Sequence, residues 1–102
     1  MKTSFKIQLK DLVNDNSSRS NAAKAFELII EFLNKYNSIE INLADVNFTP
    51  SVADEVIGKL AETLGARRFK EKIIISNFSD AQMSLMRHVI GRRMSKKQTY
   101  HL

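Results

Sequence analysis

The sequence predicts one small α/β domain, an open and mostly parallel sheet in the order βαβαβα with helices mainly on one face. Three observations carry this expectation. Segments that alternate apolar and polar residues take turns with segments whose apolar residues recur every three or four positions. The crossovers are long enough to be helices, which makes the strands parallel and the connections right-handed. The first two strands each carry a polar side, which a sheet covered on both faces would not.

Phe5, Ile7 and Leu9 alternate with Lys6, Gln8 and Lys10, the pattern of a first strand with one buried side. Asn14 to Ser18 form a run of turn and capping residues in which the chain leaves the sheet. From about Ser20 to Tyr36, Ala22, Phe26, Ile29, Leu33 and Tyr36 make a helical stripe, widened by Ala25 and Phe32, with Lys24, Glu27, Glu31 and Lys35 facing away. Ile39, Ile41 and Leu43 alternate with Glu40, Asn42 and Ala44 as a second strand. Thr49 then reads as an N-cap and Pro50 as the first helical residue, where a missing N–H costs nothing. The helix they open carries Val52, Val56, Ile57, Leu60, Ala61 and Leu64 on one side and stops at Gly65. A third strand, Lys72 to Ser76, is expected to be the most deeply buried. Ser79 and Gln82 have capping-box spacing and open a third helix with Met83, Met86, Val89 and Ile90 inward. Lys6, Gln8, Lys10, Glu40 and Asn42 would share a sheet face that no helix covers.

The chain has 102 residues, a length that suits one core and not two. Its 43% hydrophobic and 26% charged residues are ordinary for a globular protein. With no cysteine, neither a disulfide framework nor a thiolate metal site is expected. No apolar stretch at the N-terminus or elsewhere approaches a signal or a membrane span, so a cytoplasmic protein without membrane contact is the expectation. The net charge of +5 is polarised. From Ala66 onward the chain carries +7, and the part before it −2. Arg67, Arg68, Arg92, Arg93, Lys96 and Lys97 are therefore candidate contacts for a polyanion. Residues 94–102 read as a basic tail beyond a core of about residues 5–93.

In a βαβαβα sheet all three helices begin at the carboxyl edge of the strands, where ligands of open α/β sheets bind. That topology gathers Ser17, Ser18, Arg19, Ser20, Thr49, Ser51, Asn77 and Ser79, hydroxyls and helix N–H groups able to hold a phosphate or a carboxylate. Arg19 is placed to pair with Asp54 and Glu55 in the next helix, and those acids oppose its dipole favourably. Left unpaired, Arg19 would favour an anion site. His88 and His101 lack a second ligand at metal spacing, and the three glycines form no phosphate loop, so no metal, cofactor or catalytic set is expected.

Ser18 to Ala22 at the first helix, Val46-Asn47-Phe48 after the second strand, Ser51 to Glu55 in the second helix and Asn77 after the third strand together resemble a bacterial STAS-like domain family of unknown function. It is related to the anti-sigma-factor antagonists. The resemblance covers roughly Phe5 to Arg93 and rests most on Ala53-Asp54-Glu55. It implies a non-catalytic regulatory module whose partner is a histidine-kinase-like ATPase, docking at Ser18, Arg19, Ser51, Asp54, Glu55 and Asn77. It also makes Ser51 a candidate phosphorylation position, although the Asp-Ser-Ser-Gly of the antagonists is replaced here by Pro50-Ser51-Val52-Ala53. The rival reading is a nucleic-acid-associated protein using the basic C-terminal region, without helix-turn-helix spacing, a zinc pattern or aromatic-basic interleaving to support it.

Overall fold

A computed structural model describes residues 3–15 and 18–99, without the side chains of 96–99. Three parallel strands form an open sheet in the order β1-β2-β3: β1 Ser4–Gln8, β2 Ser38–Asn42 and β3 Ile73–Ser76. Ile7 lies opposite Ile41, which lies opposite Ile75, and Lys6, Glu40 and Ile74 are level on the other face. A short helix α1, Lys10–Val13, follows β1, and α2, Arg19–Leu33, makes the first crossover. The second crossover is a continuous helix over residues 50–64 made of α3 Pro50–Val52, a π-helical segment Ala53–Gly58 and α4 Lys59–Leu64. After it come α5, Ala66–Lys72, and, beyond β3, α6, Asp80–Thr99.

The caps read in the sequence form as expected. The Ser18 hydroxyl accepts from the Asn21 N–H at 3.2 Å, and the Thr49 hydroxyl from the Val52 N–H at 3.2 Å with Pro50 in the first turn. At α6 the exchange is reciprocal: the Gln82 N–H donates to the Ser79 hydroxyl at 3.1 Å, and the Ser79 N–H donates to the Gln82 side-chain oxygen at 2.9 Å. Gly65, with φ 84° and ψ 157°, separates α4 from α5 in a conformation that only glycine adopts without strain.

The core lies between one face of the sheet and the helices. Ile7, Ile39, Ile41 and Ile73 meet Ala22, Phe26 and Ile29 of α2, Val52, Val56, Ile57 and Leu60 of the 50–64 helix, and Met86 of α6. Phe5 closes one end, 4.7 Å from the Phe32 ring and stacked on Tyr36 at 4.9 Å. On the opposite face Lys6 and Glu40 sit 3.8 Å apart as a cross-strand ion pair, more than half of the Lys6 side chain reaching solvent.

Four expectations need correction. Leu9 and Lys10 leave the strand for α1, because the Leu9 N–H still reaches the Asn42 carbonyl while its own carbonyl accepts from Leu12 and Val13. Lys72 belongs to α5, a helix with no apolar stripe to announce it. β3 is not the most buried strand: it is an edge, and Ile74 is 49% exposed on the open face. Residues 94–99 continue α6 as helix where a tail was expected. No helix among the described residues is long and apolar enough to cross a membrane.

Candidate functional site

Where α2, the 50–64 helix and α6 meet, three cations and three carboxylates form one network. Arg93 of α6 grips Asp54 with two parallel hydrogen bonds, Nε to Oδ1 at 2.9 Å and Nη2 to Oδ2 at 3.0 Å, and sends Nη1 to Glu62 Oε1 at 2.7 Å. Arg19 Nη1, at the start of α2, reaches Glu55 Oε2 at 2.6 Å and Asp54 Oδ2 at 3.1 Å. Lys59 Nζ stands 3.8 Å from Glu55 Oε1 and 4.8 Å from the Phe26 ring.

Two backbone features make this geometry available. In the π segment the Lys59 N–H donates to the Asp54 carbonyl five residues back, so the helix is locally wider than an α-helix. Gly58 then leaves a groove for Arg93: a Cβ there would stand 3.2 Å from Arg93 Cδ and 3.2 Å from Asp54 Oδ1. The Arg93 side chain, 21% exposed, places its guanidinium between Asp54 and Glu62.

The electrostatic consequence is a carboxylate locked in its charged form. The hydrogen bonds from Arg93, against the opposing pull of burial and with further help from Arg19, hold the Asp54 carboxyl down at about 2. The Arg93 and Arg19 guanidiniums are pushed up in return by the carboxylates they serve. A carboxylate so occupied is a poor general base near neutral pH, because its charged form is already stabilised by two guanidiniums. The network works as a clasp between α6, α2 and the central crossover.

The sequence-derived residues therefore divide. Arg19, Asp54 and Glu55 do come together, and the paired Arg19 removes the support it would have lent to a free anion site. Ser18 is the α2 cap, and Ser51 is half-buried in the first turn opened by Thr49. Asn77 stands apart from the clasp. It takes a left-handed conformation with φ 56° at the end of β3 and donates from Nδ2 to Asn42 Oδ1 at 3.0 Å. Beside it Ser76 Oγ is buried without a hydrogen-bond partner, and Phe78 is 39% exposed. Ser17 lies outside the described residues.

Of the basic group, Arg93 is withdrawn from any polyanion surface by Asp54 and Glu62, a correction to its reading as a free contact. Arg67, Arg68 and Arg92 are exposed, Arg67 standing 3.9 Å from Glu71. The side chains of Lys96 and Lys97 lie outside those described. Arg87, His88 and Arg92 border an open cleft of about 790 Å³ whose wall is the Asp54, Glu62 and Arg93 clasp. Among the described residues no group of three or more His, Asp or Glu side chains is arranged to hold a metal ion. The one sequence signal for an inward Arg93 is its helical spacing from Met86 and Ile90, while its partners are set by the tertiary fold.

Compared with protein families, curated proteins and solved structures, the chain finds no match.

Proposed function

We propose that this chain is a non-catalytic regulatory module that binds a protein partner at the carboxyl edge of its sheet, the partner being a histidine-kinase-like ATPase as the STAS-like resemblance implies. The observation that carries the reading is Phe78. A large aromatic side chain stands 39% exposed at that edge on a stiff support. Asn77 is fixed to Asn42 on one side, and Ser79 is locked to Gln82 on the other. An exposed aromatic ring between two hydrogen-bonded neighbours is the kind of side chain that is enriched in protein interfaces. Ser51 opens the neighbouring helix close in sequence to Asp54 and Glu55, so a phosphate there would add about two negative charges near a carboxylate pair that already shares Arg19. Competition for Arg19 would then couple modification to the shape of the edge.

Affinity capture from native cytosol with wild-type, Phe78→Ser, Ser51→Asp and Arg19→Ala baits tests this. The reading expects an ATP-binding protein retained by the wild type and lost from the Phe78→Ser and Ser51→Asp baits, with melting temperatures unchanged in those two. Identical capture by all four baits would overturn it. So would capture of nucleic acid alone, released by salt, which is the behaviour of the rival basic-region reading.

A further inference from the structure

β3 has a second free side, distinct from the carboxyl edge. Among the described residues it pairs only with β2. The Leu43 N–H donates to the Ser76 carbonyl, so Ser76 and Ile74 turn their backbone groups toward β2, and Ile73 and Ile75 turn theirs outward. The Ile73 N–H is taken by the Phe69 carbonyl at the end of α5. The Ile75 N–H and carbonyl face a side on which, among the described residues, no strand pairs.

Next to that edge is an apolar hollow of about 170 Å³, several times the roughly 30 Å³ share of a water molecule. Ile57, Phe69 and Ile75 line it together with Met83 and Ile90 of α6. α6 packs mainly on the 50–64 helix, and its Met83, Met86 and Ile90 share the lining of the hollow with Ile75 of β3. An added strand would present alternate side chains inward, one of them into the hollow.

Charge chooses the occupant. Arg87 stands in the wall of the hollow, and the exposed Arg67, Arg68 and Lys70 lie on α5, which leads directly into β3, with Glu71 the one acid of that helix. A second copy of the chain would bring the same basic surface against itself, which is unfavourable. We infer that the outer edge of β3 and the hollow it shares with α6 form a docking groove for an extended, acidic and apolar segment of another protein, which adds to the sheet as a fourth strand. Main-chain bonds to Ile75 hold the segment, an apolar side chain fills the hollow, and flanking acids meet Arg87 and α5. Neither Ser51 nor Phe78 lines the hollow, and the inference stands without the carboxyl-edge reading.

The probe is a short labelled peptide of alternating glutamate and leucine, titrated onto the full chain at low ionic strength and followed by amide hydrogen exchange. Binding that slows exchange of the Ile75 N–H is expected. A roughly tenfold or greater loss is expected for a peptide N-methylated at alternate residues, for a lysine-leucine analogue and for the Met83→Lys and Arg87→Glu variants. Phe78→Ser should bind as the wild type does, which separates this groove from the carboxyl edge. No binding by the wild type, equal binding of the N-methylated peptide, equal binding of the lysine-leucine analogue or concentration-dependent dimerisation through β3 would each overturn the assignment. If Met83→Lys fails to fold, Arg87→Glu and the peptide controls still decide the matter.

Discussion

Replacing Asp54 by asparagine removes the charge at the centre of the clasp while keeping its shape. In the folded protein the Asp54 carboxyl titrates at about 2 against an ordinary value of 3.8. At 1.36 kcal/mol for each unit, ionised Asp54 contributes about 2 kcal/mol to stability near neutral pH. The folded value lies below the unfolded one, so this contribution is complete above about pH 4 and is lost as pH falls through about 2. Urea unfolding of wild type and Asp54→Asn should therefore differ by about 2 kcal/mol at neutral pH, with midpoints separated by ~1–2 M for a domain of this size. The gap should close as the titration approaches pH 2, because the wild-type carboxyl is then protonated too. A gap of equal size at both ends would show that the amide disturbs packing and that charge is not the cause. No gap at neutral pH would show that the two arginine contacts merely replace hydration.

Three further outcomes are expected. Gly58→Ala should lower the melting temperature although alanine favours a helix by ~1 kcal/mol, because its Cβ meets Arg93 and Asp54 at 3.2 Å; a rise in melting temperature would refute the close-approach argument. Gly65→Ala places a side chain at φ 84° and should cost about 1–3 kcal/mol in chemical denaturation even though nothing stands near the new Cβ. Ser79→Ala should cost about 1 kcal/mol in the same assay and speed amide exchange in the first turn of α6, with the rest of the helix unchanged.

Local rules were legible where one residue type has one physical use. Thr49 with Pro50 and Ser79 with Gln82 mark helix starts because few other arrangements satisfy free N–H groups. The pairing of Arg19 with Asp54 and Glu55 followed from parallel topology, which brings successive helix starts to one edge. What escaped needed tertiary knowledge. Three consecutive isoleucines look doubly buried, but burial of Ile74 needs a neighbouring layer that is absent from that face among the described residues. Arg93 was grouped with its basic neighbours because charge runs are read along the chain, whereas its partners lie 31 and 39 positions away. The π segment leaves no local signature either, since Ala53 to Gly58 could equally continue an α-helix.

That segment has a consequence for how the chain tolerates changes of length. The wide turn absorbs one extra residue, so removing one residue between 53 and 58 would let the helix close as an ordinary α-helix with the segments before and after it in nearly the same phase. Glu62 would stay on the side of Arg93 and Leu60 on the side of the core, whereas a deletion in an ordinary α-helical stretch turns everything beyond it by about 100°. Insertions and deletions in a helix are usually judged by whether the hydrophobic stripe survives them. Here the widened turn holds one residue in reserve without changing the phase between the two halves of the crossover that Arg93 joins.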